Sequence, residues 1–293
     1  MQEHVDNRLG QQDLTLLISC VPFISADAED GGMIFLFSAT GNSYAVAKRI
    51  SDEFGIGMNQ VASAVRHERY SFDAQGEDVG FVFPTFFSGL PRMVLEFARN
   101  VKVRNPGRVF CVSTCGAESG GSCDQLAEAL GDRLQIDAMY DVLMPDSAVF
   151  CLDPPAEEEA KSILEGSEKE IDAIVESLRR KESGDMRRHK GDRDWRSVYS
   201  MYEDQRVTEP FRITEACIQC RICEEVCPEQ VIKVYHRKPI WDEEKCSLCM
   251  SCIQLCPKKA IEYGDATVNR GRYRHPLFYE RALGIPFSQM GVR

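Results

Sequence analysis

Eight of the thirteen cysteines in this 293-residue chain fall into one spacing pattern that occurs twice. Each copy has three cysteines that are separated by two residues, a fourth cysteine after three more residues, and then a proline. Thiolates at this spacing bind [4Fe–4S] clusters, because three cysteines on one tight loop reach three irons of a cubane. The pattern therefore predicts two [4Fe–4S] clusters. Their predicted ligands are Cys217, Cys220, Cys223, Cys227, Cys246, Cys249, Cys252 and Cys256.

The fourth cysteine of each run precedes a proline that carries the chain away from the loop, so this cysteine is predicted to bind the other cluster. The first ligand set is Cys217, Cys220, Cys223 and Cys256, and the second is Cys246, Cys249, Cys252 and Cys227. A zinc site takes four ligands in pairs a dozen or more residues apart, and a disulfide framework suits a short secreted chain. Neither alternative fits eight cysteines in two four-membered runs.

Other reactive side chains give no comparable pattern. The five remaining cysteines are scattered and are predicted to be mainly buried hydrophobic residues, with a redox-active Cys115 as the alternative. The five histidines stand in polar contexts without a nucleophile–base pairing. The sequence therefore assigns no catalytic residue.

Upstream of the cysteine runs, the chain alternates between short apolar strands and helical segments from Met33 onward. Strands are predicted near 34–37, 79–83, 108–113 and 136–143, and helices near 44–54, 91–100, 122–130 and 157–180. This alternation predicts an α/β fold, a doubly wound parallel sheet with helices on both faces. The repeated cysteine runs predict a small α+β ferredoxin-like domain after it. Ligands of such a sheet bind at the carboxyl ends of its strands.

Residues 38–43 form a turn of small and hydroxyl residues directly before a predicted helix. Hydroxyl groups, backbone N–H groups and the helix N-terminus can hold a phosphate monoester without Lys or Arg. The chain has neither the G-x-G-x-x-G motif of dinucleotide sites nor the G-x-x-x-x-G-K motif of ATP sites. The turn thus predicts a phosphate site, with a plain strand-to-helix connection as the alternative.

Two further loops are predicted at the same edge of the sheet. Residues 84–91 contain the adjacent Phe86 and Phe87, which can stack on a planar ring or simply fill the core. Residues 114–121 are rich in glycine, which lets the backbone approach a ligand closely or merely makes a flexible loop. Because a phosphate beside a flat ring describes FMN, the three loops together predict an FMN site.

These motifs carry a resemblance to known families. Residues 33 to about 178 resemble a flavodoxin-type FMN domain, and residues 211–263 resemble a 2[4Fe–4S] ferredoxin. Their order resembles the EFR1-type flavodoxin–ferredoxin fusions of anaerobic bacteria. Besides the cysteine runs, the resemblance is carried by residues 37–43, 84–91, 144–146 and 272–276.

The resemblance implies which residues contact FMN. The phosphate would be held by Ser38, Thr40, Asn42 and Ser43, and the isoalloxazine would be bordered by Thr85, Phe86 and residues 114–116. The full predicted set is Ser38, Thr40, Gly41, Asn42, Ser43, Pro84, Thr85, Phe86, Phe87, Thr114, Cys115 and Gly116. Many flavodoxins cover the outer flavin face with an aromatic residue from the third loop, and this chain has none there, which implies a more open flavin.

Five segments are expected along the chain. Residues 1–32 are predicted to be an extension outside the fold, and residues 33–183 the flavodoxin-like FMN-binding domain. A linker is predicted at 184–210, the 2[4Fe–4S] ferredoxin-like domain at 211–265 and a C-terminal tail at 266–293.

The charge is unevenly distributed. The net charge is −11, and residues 1–178 carry 13 basic against 29 acidic residues, which argues against a nucleic-acid partner. No apolar run approaches the ~20 residues of a membrane span, and reduced thiolates favour the cytoplasm. The basic stretches at 179–181 and 187–190 are predicted to be a solvated helix end and linker, with a docking patch for an acidic carrier as the alternative.

Three functions are compatible with the sequence. The first is a ferredoxin-linked oxidoreductase that reduces a small substrate at FMN, with electrons passing between FMN and the two clusters. The second is a non-enzymatic module that passes electrons to a partner protein, and the third is a redox sensor. The expected partner is accordingly an electron donor or acceptor protein or a small-molecule substrate.

Overall fold

The computed structural model describes residues 33–277, so the predicted extension 1–32 and the tail beyond 277 lie outside the described residues. The first part of the described chain contains eight strands. They are β1 (Met33–Leu36), β2 (Gly57–Gln60), β3 (Ser71–Asp73), β4 (Val79–Pro84), β5 (Lys102–Arg104), β6 (Val109–Cys115), β7 (Ala138–Leu143) and β8 (Gly184–Asp185). Six of them form one parallel sheet in the order β2-β1-β4-β6-β7-β8.

Helices cover both faces of this sheet. They are α1 (Asn42–Phe54), α2 (Val61–Arg66), α3 (Arg92–Asn100), α4 (Ser122–Leu130) and α5 (Glu157–Arg179). One apolar cluster joins the sheet to α2, α3 and α4, and a second joins it to α1 and α5. The central strands β1 and β6 are buried along their whole length, as expected for strands covered on two sides. The predicted flavodoxin-like α/β fold is confirmed.

The predicted linker at 184–210 contains regular structure. Its first residues form β8, which pairs with β7, so the sheet continues beyond the strand predicted at 136–143. The same segment contains α6 (Trp195–Ser200) and α7 (Tyr202–Gln205). Trp195 packs on Gly121, where a Cβ atom would lie 2.2 Å from the indole. The segment therefore lies against the α/β domain.

Arg187 holds this segment in place. The expectation that residues 187–190 are solvated is wrong for Arg187, because its side chain is fully buried between Asp124 at 2.9 Å and Asp185 at 2.7 Å. The hydrogen bond from Arg187 lowers the pKa of Asp185 to about 2. Two carboxylates thus compensate the charge of one enclosed guanidinium.

Replacing Arg187 with methionine is expected to lower the free energy of unfolding by about 2 kcal/mol, because both carboxylates lose charge-assisted hydrogen bonds and keep only Lys190 nearby, at 3.5 Å and 3.6 Å. Equilibrium urea unfolding would measure the loss. The matched control is Arg104→Met, since the Arg104 side chain is 78% exposed and pairs loosely with Asp73 at 3.2 Å. That variant is expected to change stability by less than about 0.5 kcal/mol. Equal losses in the two variants would contradict a structural role for Arg187.

The second domain is small. Its elements are β9 (Phe211–Ile213), α8 (Ile222–Glu225), β10 (Ile232–Tyr235), β11 (Lys238–Trp241), α9 (Ser251–Gln254) and β12 (Ile261–Tyr263). β9 pairs with β12 and β10 pairs with β11, both antiparallel. A short helix and a strand follow the start of each cysteine run, which confirms the predicted ferredoxin-like domain. Within residues 33–277, no helix is both long and apolar enough to cross a bilayer.

Candidate functional site

Two cavities in the second domain are each lined by four cysteines. The first cluster cavity is lined by Cys217, Cys220, Cys223 and Cys256. The second cluster cavity is lined by Cys227, Cys246, Cys249 and Cys252. Each cavity thus combines three cysteines of one run with the fourth cysteine of the other run, and these are the two ligand sets that the crossed arrangement predicts.

The two runs repeat one backbone conformation. Gln219 and Leu248, each two residues after the first cysteine of its run, have φ angles of 62° and 52°. Arg221 and Met250, each directly after the second cysteine, have φ angles of 65° and 59°. Left-handed residues turn the chain sharply, so that three thiols of one loop point into one cavity. Backbone N–H groups also reach the sulfurs, as in the 3.3 Å contact from Leu248 N to Cys246 Sγ.

The thiols lie in surroundings that disfavour a bare negative charge. Burial raises the pKa of Cys223 and of Cys227 to about 12, and the neighbouring cysteines add to the effect. They become thiolates only with the positive charge of a metal nearby. Across residues 33–277, no three His, Cys, Asp or Glu side chains converge tightly enough for a single metal ion. A four-iron cluster does not require that, because it takes one thiolate on each of four irons.

A larger cavity of about 380 Å³ lies between the two domains and is called the interdomain cavity. It opens at the carboxyl ends of the parallel strands, where the three predicted loops meet. Eleven of the twelve residues predicted to contact FMN line it: Ser38, Thr40, Asn42, Ser43, Pro84, Thr85, Phe86, Phe87, Thr114, Cys115 and Gly116. Gly41 does not line it. The structure therefore brings the three loops together as the sequence predicts.

The second domain closes one side of the interdomain cavity. Leu248, Cys249 and Met250, from the second cysteine run, line it together with the loops of the α/β domain. Cys249 and Met250 also line the second cluster cavity, so two residues belong to the walls of both. Sequence reasoning missed this contact, because nothing in a cysteine motif indicates what lies on its outer side.

The loop after β7 supplies further cavity residues that sequence reasoning did not identify. Asp146 lies against Gly116, where a Cβ atom would meet the Asp146 carboxylate oxygen at 2.3 Å. Phe150 stacks on Phe87 with ring centroids 6.1 Å apart and an interplanar angle of 23°. The third loop has no aromatic residue, but the cavity gains an aromatic wall from this fourth loop. For Asp146 a signal was available, because residues 144–146 are among those that carry the family resemblance, although that resemblance assigned Asp146 no contact.

Two of the four predicted phosphate side chains hold loops together. Ser43 Oγ lies 2.8 Å from Thr114 Oγ1, and Asn42 Nδ2 donates to Pro145 O at 2.9 Å. Ser38 Oγ accepts from Tyr44 N at 3.2 Å and keeps its own hydrogen for another acceptor. The Ser38 hydroxyl can therefore donate to a bound anion. Burial raises the pKa of the Cys115 thiol, which argues against a reactive thiolate there.

The chain returns to the phosphate turn near its end. Residues 270–277, called the C-terminal strap, run from the second domain to residues 40–42. Tyr273 OH donates to Asn42 Oδ1 at 2.8 Å, and His275 N donates to Thr40 O at 2.9 Å. Gly41, with a φ of 102°, packs so closely that a Cβ atom there would lie 2.8 Å from His275 Cβ. Gly41 therefore shapes the turn from behind, which explains its absence from the cavity wall.

Gln254 of α9 fixes the strap to the second domain. Its side chain accepts from Tyr273 N and donates to Ser147 O, both at 2.8 Å. Its backbone oxygen accepts from Arg274 Nε at 2.8 Å. The strap, the second cysteine run and the loop after β7 therefore meet at one buried side chain.

Burial lowers the pKa of His275 from 6.5 to about 4, so the folded protein holds this ring neutral. Between these two values the unfolded chain binds more protons than the folded one, so the free energy of unfolding falls as the pH drops below about 6.5. Wild type is expected to lose about 2 kcal/mol more than His275→Gln between about pH 7.5 and 5. Thermal unfolding of both proteins at both pH values would measure it. Equal losses would contradict a neutral buried His275.

Comparison with known proteins identifies the second domain. Residues 216–261 match a family model that is described as a 4Fe-4S dicluster domain. The comparison with curated proteins finds no match for the chain. The dicluster match confirms the prediction of two [4Fe–4S] clusters and of an iron–sulfur electron-transfer protein. For the α/β domain that precedes it, the parallel sheet establishes the fold class.

Proposed function

We propose that this chain is an iron–sulfur flavoprotein that binds FMN in the interdomain cavity and passes electrons between FMN and the two clusters. One observation carries the proposal. The same cavity is walled by the predicted FMN loops and by Leu248, Cys249 and Met250 of the second cysteine run. A flavin ring bound there would lie beside Cys249, a predicted ligand of the second cluster. No other part of the protein would then separate the ring from that ligand.

The residues of the cavity suit FMN. Its volume of about 380 Å³ lies within the range of small-molecule sites. The Ser38 hydroxyl and the N-terminus of the 13-residue helix α1 supply donors for a phosphate. Phe87 and Phe150 supply flat apolar walls. Hydroxyl donors beside aromatic walls match the two ends of the cofactor.

The preferred activity is that of a ferredoxin-linked oxidoreductase acting on a small substrate. When bound, FMN accepts two electrons and hands them on one at a time. The carboxylates of Glu118 and Asp146 line the cavity and could exchange a proton with a substrate. The order of domains supports kinship with the EFR1-type fusions that the chain resembles. We further propose a cytoplasmic location, because reduced thiolates are favoured in a reducing compartment.

The second candidate is a module that only carries electrons to a partner protein. The stacked pair of Phe87 and Phe150 favours it, because a ring face covered by an aromatic wall leaves little room for a substrate. Tyr202 extends the stack, with its ring centroid 5.2 Å from that of Phe87. In this reading the cavity holds FMN alone.

Analysis of anaerobically purified protein tests the proposal. About eight iron, eight sulfide and one FMN per chain are expected. Protein with the iron and sulfide but without FMN, even after incubation with the free cofactor, would reject the flavin part. Turnover of a panel of small acceptors by the reduced protein alone would support the oxidoreductase. Transfer only to an added carrier protein would support the module, and oxidation-dependent binding without turnover would identify a sensor.

A further inference from the structure

We propose that a small acidic electron-carrier protein docks on the outer face of the β10–β11 hairpin and exchanges electrons with the cluster of the first cluster cavity. The proposal rests on the proposed function in one respect: the second cluster serves the flavin side, which leaves the first cluster for the outside partner. The dicluster domain itself does not depend on FMN.

The two cluster cavities face different parts of the molecule. The second shares Cys249 with the interdomain cavity, whereas no residue of the first lines that cavity. The first is enclosed instead by its own loop and by Val234 and Pro239 of the hairpin. Its loop reaches the surface, since Ile218 is 36% exposed and Cys217 and Cys220 are partly exposed. The first cluster is therefore the one that an outside protein can approach.

The hairpin presents two different faces. Val234 pairs with Pro239 in the antiparallel ladder, and both line the first cluster cavity. The neighbouring pairs are Lys233 with Ile240 and Tyr235 with Lys238. Because side chains alternate along a strand, these four side chains lie on the opposite face. A partner on that face is separated from the cluster by a single β-layer.

The outer face combines apolar side chains with positive charge. Tyr235 is 58% exposed and Ile240 is 43% exposed. Together with Ile218 they are three of the seven large hydrophobic side chains that are exposed among residues 33–277. Apolar side chains ringed by charged ones are the usual composition of a transient protein interface. The patch is thus suited to a partner that binds and leaves.

The charge of this patch opposes that of the whole chain. Residues 215–225, which include the loop of the first cluster cavity, the hairpin at 232–241 and residues 256–259 contain six basic residues, which are Arg221, Lys233, Arg237, Lys238, Lys258 and Lys259. They contain three acidic residues, which are Glu215, Glu224 and Glu225. Apart from Arg221, which pairs with Glu224, these basic side chains form no ion pair with any of residues 33–277. A positive patch on a protein of net charge −11 selects an acidic partner and orients its approach.

Stopped-flow reduction by a photoreduced acidic plant-type [2Fe–2S] ferredoxin tests the proposal. One electron leaves the carrier cluster and enters the first cluster, and no bond or proton is transferred. The test variant is Lys233→Glu with Lys238→Glu. The matched control is Lys161→Glu with Lys169→Glu on α5, where both lysines are exposed and the net charge changes equally. Bleaching of the [4Fe–4S] absorbance is the readout, so the result does not depend on bound FMN.

The test variant is expected to reduce the second-order rate constant at low salt at least tenfold and to flatten its salt dependence. The control is expected to stay within about twofold. Photoreduced 5-deazaflavin should reduce all proteins alike, which shows that the clusters are intact. If the charge reversal lowers cluster content, Lys233→Gln with Lys238→Gln replaces it, with an expected decrease of about threefold.

Three outcomes overturn the proposal. Equal slowing by both double variants would show an effect of overall charge, and unchanged rates would place the docking surface elsewhere. A nucleic acid that binds wild type tightly and the hairpin variant weakly would assign the patch to a different partner. Failure of the flavin proposal can be distinguished from failure of the docking proposal. In that case the protein would lack FMN, but the rate of cluster reduction would still depend on the hairpin lysines.

Discussion

A chain with both Cys256→Ala and Cys217→Ala is expected to keep about four irons, whereas one with both Cys256→Ala and Cys246→Ala is expected to keep almost none. The reason is the crossed arrangement of the two cavities. Cys256 and Cys217 line the first cluster cavity, so together they disrupt one cluster. Cys246 lines the second, so the other pair disrupts both clusters. Iron and sulfide analysis of anaerobically purified protein measures the difference.

The opposite pattern would contradict the crossed arrangement. If each run held its own cluster, Cys256→Ala with Cys246→Ala would keep about four irons and Cys256→Ala with Cys217→Ala would lose nearly all of them. The control is Cys151→Ala, because Cys151 is exposed and lines neither cluster cavity. That variant should retain about eight irons.

Replacing Gly41 with alanine is expected to weaken flavin retention more than tenfold while leaving the iron content unchanged. The φ of 102° strains any residue with a Cβ atom by about 1–2 kcal/mol. The new methyl group would also meet His275 Cβ at 2.8 Å, so the strap or the phosphate turn must move. Either movement displaces the backbone that is proposed to hold the phosphate. Titration of the flavin-free protein with FMN, followed by flavin fluorescence, gives the change in Kd.

Gly55→Ala separates backbone strain from collision. Gly55 ends α1 with a φ of 68°, and a Cβ atom there would meet nothing within 4 Å. This variant should lose about 1 kcal/mol of stability and keep its affinity for FMN. Unchanged flavin affinity in Gly41→Ala would show that the strap does not control the turn. An equal loss of iron would show that the two cofactor sites are not separable.

The parts of the site that lie on consecutive strand ends could be predicted from the sequence. Residues 38–43, 84–91 and 114–121 each follow an apolar run, and parallel strands bring their carboxyl ends to one edge. The repeated cysteine spacing likewise predicted the two clusters, because three closely spaced thiols on one loop are typical ligands of a [4Fe–4S] cluster. In both cases a local pattern encodes the geometry.

The remaining parts depend on contacts between residues far apart in the chain. Nothing in the sequence around Phe150 indicates that this residue stacks on Phe87. The cysteine motif likewise does not indicate that Cys249 lines the interdomain cavity. Arg187 belongs to a basic stretch that suggests solvent exposure, yet Asp124 and Asp185 enclose it. A short strand such as β8, of two residues, has no periodicity to detect. Such features emerge only from tertiary packing.

The strap has a consequence for the order in which the protein is made. Tyr273 and His275 complete the turn at residues 40–42, so more than two hundred residues must be synthesised after that turn before it acquires its final neighbours. The N-terminal domain can collapse on the ribosome well before this, but the turn gains these contacts only once residues 270–277 have been synthesised and have folded back onto it. In the flavoprotein proposed above, loading of FMN would therefore follow this step, and a nascent chain that lacks the strap would not retain the flavin.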